Sequence, residues 1–232
     1  MKEWSPQDAM KAYLDTLHIV SSSLPTAWNP TAKSTVEEDD KQRLIEPNCM
    51  ELISAMAAGK GAKHIVEITT QGITPLTIAL AVAAKHTGGQ LTCILPSHHL
   101  HHHHHHTADH LQQYINLVHA EPTNTSPRET IIKQIKVRLK NVDFAVIDCK
   151  LDDEYLKLMF KTMVQEEDGI KTGSTVIVHN VHHKKDGSIF GQLLRKKRVE
   201  AVTLPIGEGT EMTRILGCRF KRRNRFLVTF HN

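Results

Sequence analysis

Glu67 and Gly72 are spaced for ligand chemistry. A short apolar run, HIVEI at His64–Ile68, carries the acid near its end; the turn TTQG follows, then an apolar helix, TPLTIALAVAAKH, and a second apolar run, QLTCILP. A parallel strand–turn–helix–strand unit of this kind puts a helix N-terminus and exposed backbone N–H groups at the carboxyl edge of a sheet. Small ligands with a nucleoside or an acidic group bind at such an edge. Glu67 and Gly72 also fit a plain turn with no ligand, and the residues alone leave both readings standing.

Two further clusters could do chemistry. His98–His110 carries nine histidines, six of them unbroken from His101 to His106. Imidazole is a common ligand for transition metals, but a catalytic metal needs ligands fixed in geometry, so the tract reads as a repeat expansion in a tolerant loop. From Val181 onward twelve Lys/Arg face four Asp/Glu, a local +8 that leaves the remainder of the +4 chain at −4. The dense parts are Arg195–Arg198 and Arg219–Arg225. They could hold nucleic-acid phosphates or act as a nuclear import signal, but a solvated helix end and a basic hairpin loop are the preferred reading. Only Phe220 and Phe226 interleave with the second cluster, which is no stacking platform for bases.

These residues need a scaffold, and 232 residues suffice for one large α/β domain with a proper core. Ser5–Val20 begins with Ser-Pro and spaces Ala9, Tyr13, Leu17 and Val20 on one helical face, so residues 1–20 read as a helix packed on the main domain. Residues 21–46 are rich in Ser, Pro, Thr and acid and read as a loop or linker. The main domain occupies 47–232. It opens with a helix at Pro47–Gly59, and further helices are predicted at Pro75–His86, Pro127–Lys140, Asp153–Gln165 and Phe190–Lys197.

Strands are predicted at His64–Ile68, Leu91–Leu95, Tyr114–Val118, Phe144–Asp148, Ser174–His179, Val199–Pro205 and Glu211–Cys218, with Phe226–Phe230 as a further edge strand. β-Branched runs alternating with helical patterns signal a parallel sheet with helices on both faces. Ile206–Thr210 is too short for a parallel crossover, so the strands around it must form an antiparallel hairpin. The four cysteines have no metal-ligand spacing and read as buried thiols in a reducing compartment. No run is long enough to span a bilayer and no signal segment is evident, so the expectation is a soluble protein of the cytoplasm or nucleus without membrane partners.

The order IVEI-TTQG-ITPLTIAL, VDFAVIDCK, GSTVIVHN, VTLPIGEGTEMTRI resembles the class I S-adenosylmethionine-dependent methyltransferases, and distantly the caffeoyl-CoA O-methyltransferases. From WSPQDAMKAYLDT through ELISAMAAGKGAKHIVE to VTLPIGEG the chain resembles more closely a plant family of uncharacterised proteins, a domain-of-unknown-function group in that superfamily. The resemblance spans Trp4 to about Arg225. It implies a Rossmann-like α/β fold: a mostly parallel seven-stranded sheet, an antiparallel C-terminal hairpin and N-terminal helices.

It also implies S-adenosylmethionine as cofactor. Glu67 matches the acid and Gly72 the last glycine of the turn that receives the cofactor's amino-acid end, while Thr69 stands where a first glycine is usual. The second strand ends in Leu95, Pro96 and Ser97, with no carboxylate for the ribose hydroxyls, which costs ~1.5–3 kcal/mol of hydrogen bonding if Ser97 or water must serve. Ala120 falls where the adenine is usually faced. Asp148 matches an acid after the fourth strand. Asp148, His179 and Asn180 match the metal-binding positions of the caffeoyl-CoA type, with His179 in place of an aspartate. One carboxylate fewer favours a borderline ion over magnesium. The preferred reading is that Asp148 caps or lines the cleft and His179 ends a buried strand, with no divalent metal.

Three functions therefore stand: a methyltransferase of unknown acceptor, a non-catalytic Rossmann-like protein binding another small ligand or none, and a nucleic-acid-associated protein using the basic C-terminal third. The first needs little beyond proximity and in-line orientation of an acceptor.

Overall fold

The order in which strands assemble decides where Glu67 lies. The structure is a computed structural model that describes residues 3–23, 47–69, 72–96, 109–120, 141–150, 157, 170, 173–181, 199–206 and 209–215. Its elements run α1 (Pro6–Ser23), α2 (Pro47–Gly59), β1 (His64–Ile68), α3 (Pro75–Thr87), β2 (Gln90–Pro96), α4 (Asp109–Gln112), β3 (Ile115–Ala120), β4 (Phe144–Asp148), β5 (Thr175–His179), β6 (Val199–Leu204) and β7 (Thr210–Ile215). They form a seven-stranded sheet in the order β3-β2-β1-β4-β5-β7-β6. The pairs from β3 to β5 are parallel, and β7 is antiparallel to both β5 and β6. The α/β sheet with its reversed last strand is the architecture the sequence predicted. The helices expected at Pro127–Lys140, Asp153–Gln165 and Phe190–Lys197, the strand at Phe226–Phe230 and most of the 21–46 loop lie outside the described residues.

Helix α3 is set by local chemistry at both ends. Thr74 is its N-cap, in a capping box with Thr77, Pro75 opens the first turn, and Gly88 closes it in the left-handed region at φ 60°. Between these caps every residue from Leu76 to Ala84 is buried. Alanines at 79, 81, 83 and 84 keep the helix thin enough to lie on the sheet with α1 and α2 beside it.

Helix α1 packs differently from its expected face. Ala9 of the expected face is buried, but Ala12 and Thr16 are buried with it, whereas Leu17 is 42% exposed and Tyr13 only partly covered. Small residues win because α1 crosses α2 closely enough for Thr16 Oγ1 to donate to Ser54 Oγ at 2.9 Å. Ser54 in turn donates to the Ala79 carbonyl at 2.7 Å, so one hydroxyl chain ties the three helices together. A larger residue at these positions would hold the helices apart.

The amino edge of the sheet is stapled. Asp143 Oδ2 accepts from the Lys63 and His64 N–H groups at 3.0 and 3.1 Å. Ser174 Oγ donates to the Val142 carbonyl at 2.6 Å, and Lys60 Nζ donates to the Gly173 carbonyl and Thr175 Oγ1 at 2.6 and 2.8 Å. Burial lowers the Lys60 ammonium to about 8. The turn from α3 into β2 runs directly against this edge: a Cβ on Gly89 would sit 2.5 Å from the Lys63 carbonyl oxygen. Backbone cannot yield there as a flexible side chain could. Gly89→Ala should therefore lower unfolding stability by about 1–3 kcal/mol, the usual cost of overpacking. Urea denaturation measures this, and an unchanged midpoint would show that the junction has room to shift.

Candidate functional site

All five parallel strands end at one edge, and among the described residues Glu67, Asp148, His179 and Asn180 lie along it. Glu67 is the fourth residue of β1, 1% exposed, and its strand partners are Cys93 on β2 and Val146 on β4. Neither carboxylate oxygen has a hydrogen-bond partner. Burial pushes the carboxyl up to about 7, against the opposing influence of the Thr77 hydroxyl and the Cys93 thiol nearby; the Asp148 charge raises it further. Burial and Glu67 together drive the Cys93 thiol well up. Cys49, Cys93 and Cys149 are buried and in no disulfide.

Downstream, Thr69 keeps to the sheet. It is buried, and its N–H donates to the Ile94 carbonyl at 3.3 Å. It does not take the positive φ that a glycine there would allow; Gly72 does, at φ 78°. The capping box then uses two of the donors at the start of α3: Thr77 N–H reaches Thr74 Oγ1 at 3.2 Å and Thr74 N–H reaches Thr77 Oγ1 at 2.9 Å. Two donors that could cradle a phosphate are thus spent within the helix cap, and Pro75 supplies none. An orphaned acid beside them selects a hydrogen-bond donor or a cation.

The nucleoside side is less complete. Ala120 ends β3 opposite Pro96 of β2. Leu95 is buried, no acid stands at the end of β2, and Ser97 lies outside the described residues.

Across the switch, β4 and β5 bring Asp148, His179 and Asn180 together. Asp148 is the register partner of His179, and the Cys149 N–H donates to the His179 carbonyl at 3.0 Å. Asn180 takes the left-handed region at φ 61°, which aims its amide back across the strand pair. Its Nδ2 donates to Asp148 Oδ1 at 2.9 Å, and the Lys150 N–H donates to that same oxygen at 2.9 Å. Burial pushes the His179 imidazole down, with Asp148 opposing, and its Nδ1 has no partner.

This donor set does not fit a divalent ion. One oxygen of its single carboxylate already accepts two N–H groups, and the amide presents nitrogen to it. Among the described residues no group of three or more His, Cys, Asp or Glu gathers as a metal site. The histidine tract 98–110 (apart from Asp109 and His110) and the basic clusters Arg195–Arg198 and Arg219–Arg225 lie outside the described residues. No helix among the described residues is long and apolar enough to cross a membrane.

Sheet order, reversed last strand and the acid–glycine turn at the switch point define the class: a Rossmann-like fold of the methyltransferase type. Residues 1–225 match the model of the family described as protein of unknown function DUF1442, and the chain belongs to that family. Its fold is similar to a methyltransferase from Geobacter sulfurreducens, with 13% identity and a TM-score of 0.55 over 94% of this chain and 91% of that one. An O-methyltransferase from Bacillus cereus in complex with S-adenosylhomocysteine is similar at 17% identity and TM-score 0.51, over 88% and 90% of the chains. An S-adenosylhomocysteine-bound methyltransferase from Podospora anserina matches at 12% identity and TM-score 0.51, over 89% and 88%. No curated protein sequence matches the chain.

Glu67 makes ligand-free stability depend on pH with a defined sign. Its folded-state value lies above the unfolded one, so the unfolded chain releases the proton first, and stability is lost as pH rises from about 4.5 to about 7. Glu67→Gln should flatten this part of the curve and melt higher than the parent at pH 8 while matching it more closely at pH 5. Melting temperatures of both proteins across that range test it, and parallel curves would mean that Glu67 does not titrate there.

Proposed function

We propose that this protein is an S-adenosylmethionine-dependent methyltransferase whose cofactor lies over the carboxyl ends of β1, β2 and β4. The observation that carries the reading is the Glu67 carboxyl: buried, without a partner, near the end of an interior strand and beside the positive-φ turn at Gly72. A protonated amino group would satisfy it and charge it at once, offsetting part of its burial cost. Family membership and the fold shared with methyltransferases support the same reading.

In this arrangement Glu67 holds the amino-acid end, Gly72 lets the main chain approach it, and Thr69 narrows the approach where a glycine would open it. Ala120 and Ser97 are assigned to the nucleoside side by their place in the sequence, at the end of β3 and just after β2. Asp148, held by Asn180 and the Lys150 N–H, forms the wall toward the acceptor. When bound, the cofactor supplies an electrophilic methyl group on a positively charged sulfur. What the chain must add is proximity, alignment and exclusion of water, since a well-oriented acceptor needs at most one base. Leu95 and Pro96 leave the ribose without a carboxylate, so affinity is expected about ten- to a hundredfold below that of a site with one.

The test is calorimetric titration of S-adenosylmethionine and S-adenosylhomocysteine into the full chain, with a chelator present to keep the histidine tract free of metal. Binding is expected in the micromolar to high-micromolar range, with Gly72→Asp abolishing it and Glu67→Gln weakening it at least tenfold. Absence of binding at millimolar cofactor in the parent protein would leave a Rossmann-like scaffold serving another ligand.

A further inference from the structure

A second orphaned carboxyl lies outside the motif just described. Helix α2, PNCMELISAMAAG, carries a single charged residue, Glu51, in its second turn. Glu51 is 1% exposed, and neither of its carboxylate oxygens has a hydrogen-bond partner. A lone acid in an otherwise uncharged helix usually marks the solvated stripe, but here the acid is buried.

Its place follows from contacts on the same helix. The Cys49 thiol meets Thr210 Oγ1 at 3.6 Å, and Thr210 pairs with His179 at the end of β5, so α2 starts at the carboxyl edge. Glu51 is two positions on, on roughly the opposite side of the helix from Cys49. Ser54, one turn further and on the same side as Glu51, donates to the Ala79 carbonyl of α3. Both helices run away from the carboxyl edge, so one turn back from the Ser54–Ala79 contact Glu51 faces the first turn of α3, which Gly72 leads into. A carboxylate serving as a cap there would accept N–H bonds from α3. Thr74 and Thr77 already close that cap, and Glu51 makes no hydrogen bond to it.

We propose that the Glu51 carboxyl is a binding group for a protonated amine on the methyl acceptor, seated against the N-terminal turn of α3. This rests on the methyltransferase reading and extends it to the class of substrate. An amine brings both a positive charge and several N–H donors to a carboxyl that makes no hydrogen bond, whereas an alcohol brings one weak donor and a carboxylate repels it. Glu67 is occupied by the cofactor's own amino group, so a second acid is needed to read a second amine. Burial raises the Glu51 carboxyl above its usual range, as expected of an acid held without its counter-ion. Such a residue lowers stability in the empty protein and is kept for binding.

The experiment is thermal melting of the full chain at pH 8 with 1,4-diaminobutane or 1,4-butanediol, each with and without saturating S-adenosylhomocysteine. The diamine should raise the melting temperature by a few degrees in the presence of S-adenosylhomocysteine, and the diol should not. In Glu51→Gln and Glu51→Met that shift should vanish, while both ligand-free variants melt at or above the parent. A diamine shift that survives in both variants, or is matched by the diol, overturns the proposal. So do ligand-free variants that both melt below the parent, since the carboxyl would then be holding the fold. S-adenosylhomocysteine binding without a diamine shift would sink this inference alone. A Glu51-dependent diamine shift without S-adenosylhomocysteine binding would sink the methyltransferase reading and keep Glu51 as an amine site.

Discussion

Parallel pairing of β1 with both β2 and β4 is the constraint on which the rest of the molecule depends. Because β1 is an interior strand, the side chains of its last residues are walled by neighbouring strands and by α3 on one face. A carboxyl at Glu67 cannot reach water from there. Raising it from 4.5 to about 7 corresponds to roughly 3 kcal/mol of folding free energy above neutral pH. That is a large fraction of the stability of an ordinary domain, and the close-packed alanine helix and the strand core must offset it.

The two edges of the sheet divide the labour. At the amino edge, Asp143, Ser174, Lys60 and Lys63 each find backbone partners, and the loops there are tied down. Toward the carboxyl edge, Glu67, His179 Nδ1 and, on α2, Glu51 are buried without partners; Thr213 Oγ1, within β7, is the exception in mid-sheet. Native interiors tolerate few such groups, and those they keep concentrate where a ligand completes them. The asymmetry follows from topology, since parallel strands deliver the start of each crossover helix to the same side.

Much of this was legible in the sequence. The β1, α2 and β4 bounds match their predicted ranges, because a continuous β-branched run or a glycine stop leaves little choice. The hairpin followed from a connection too short to cross over. The packed face of α1 did not follow. Leu17 is more hydrophobic than Thr16, yet Thr16 is buried, since closeness to α2 rewards a small side chain with a hydroxyl partner at Ser54. Glu51 was passed over for the same kind of reason: spacing along one helix says nothing of how many neighbours cover it.

The sequence by itself determined the alternation of strand and helix, the acid–glycine turn after β1 and the lack of an acid at the end of β2. Local dihedral preference and hydrophobic period are properties of a few consecutive residues, and they can be read in order. Only the tertiary structure decided that Glu67 and Glu51 are sealed from water, that Asp148 is engaged by Asn180 and the Lys150 N–H, and that the cap of α3 consumes its own donors. Those outcomes depend on desolvation and on partners distant in the chain, and both exist only once the sheet and its helices have closed around them.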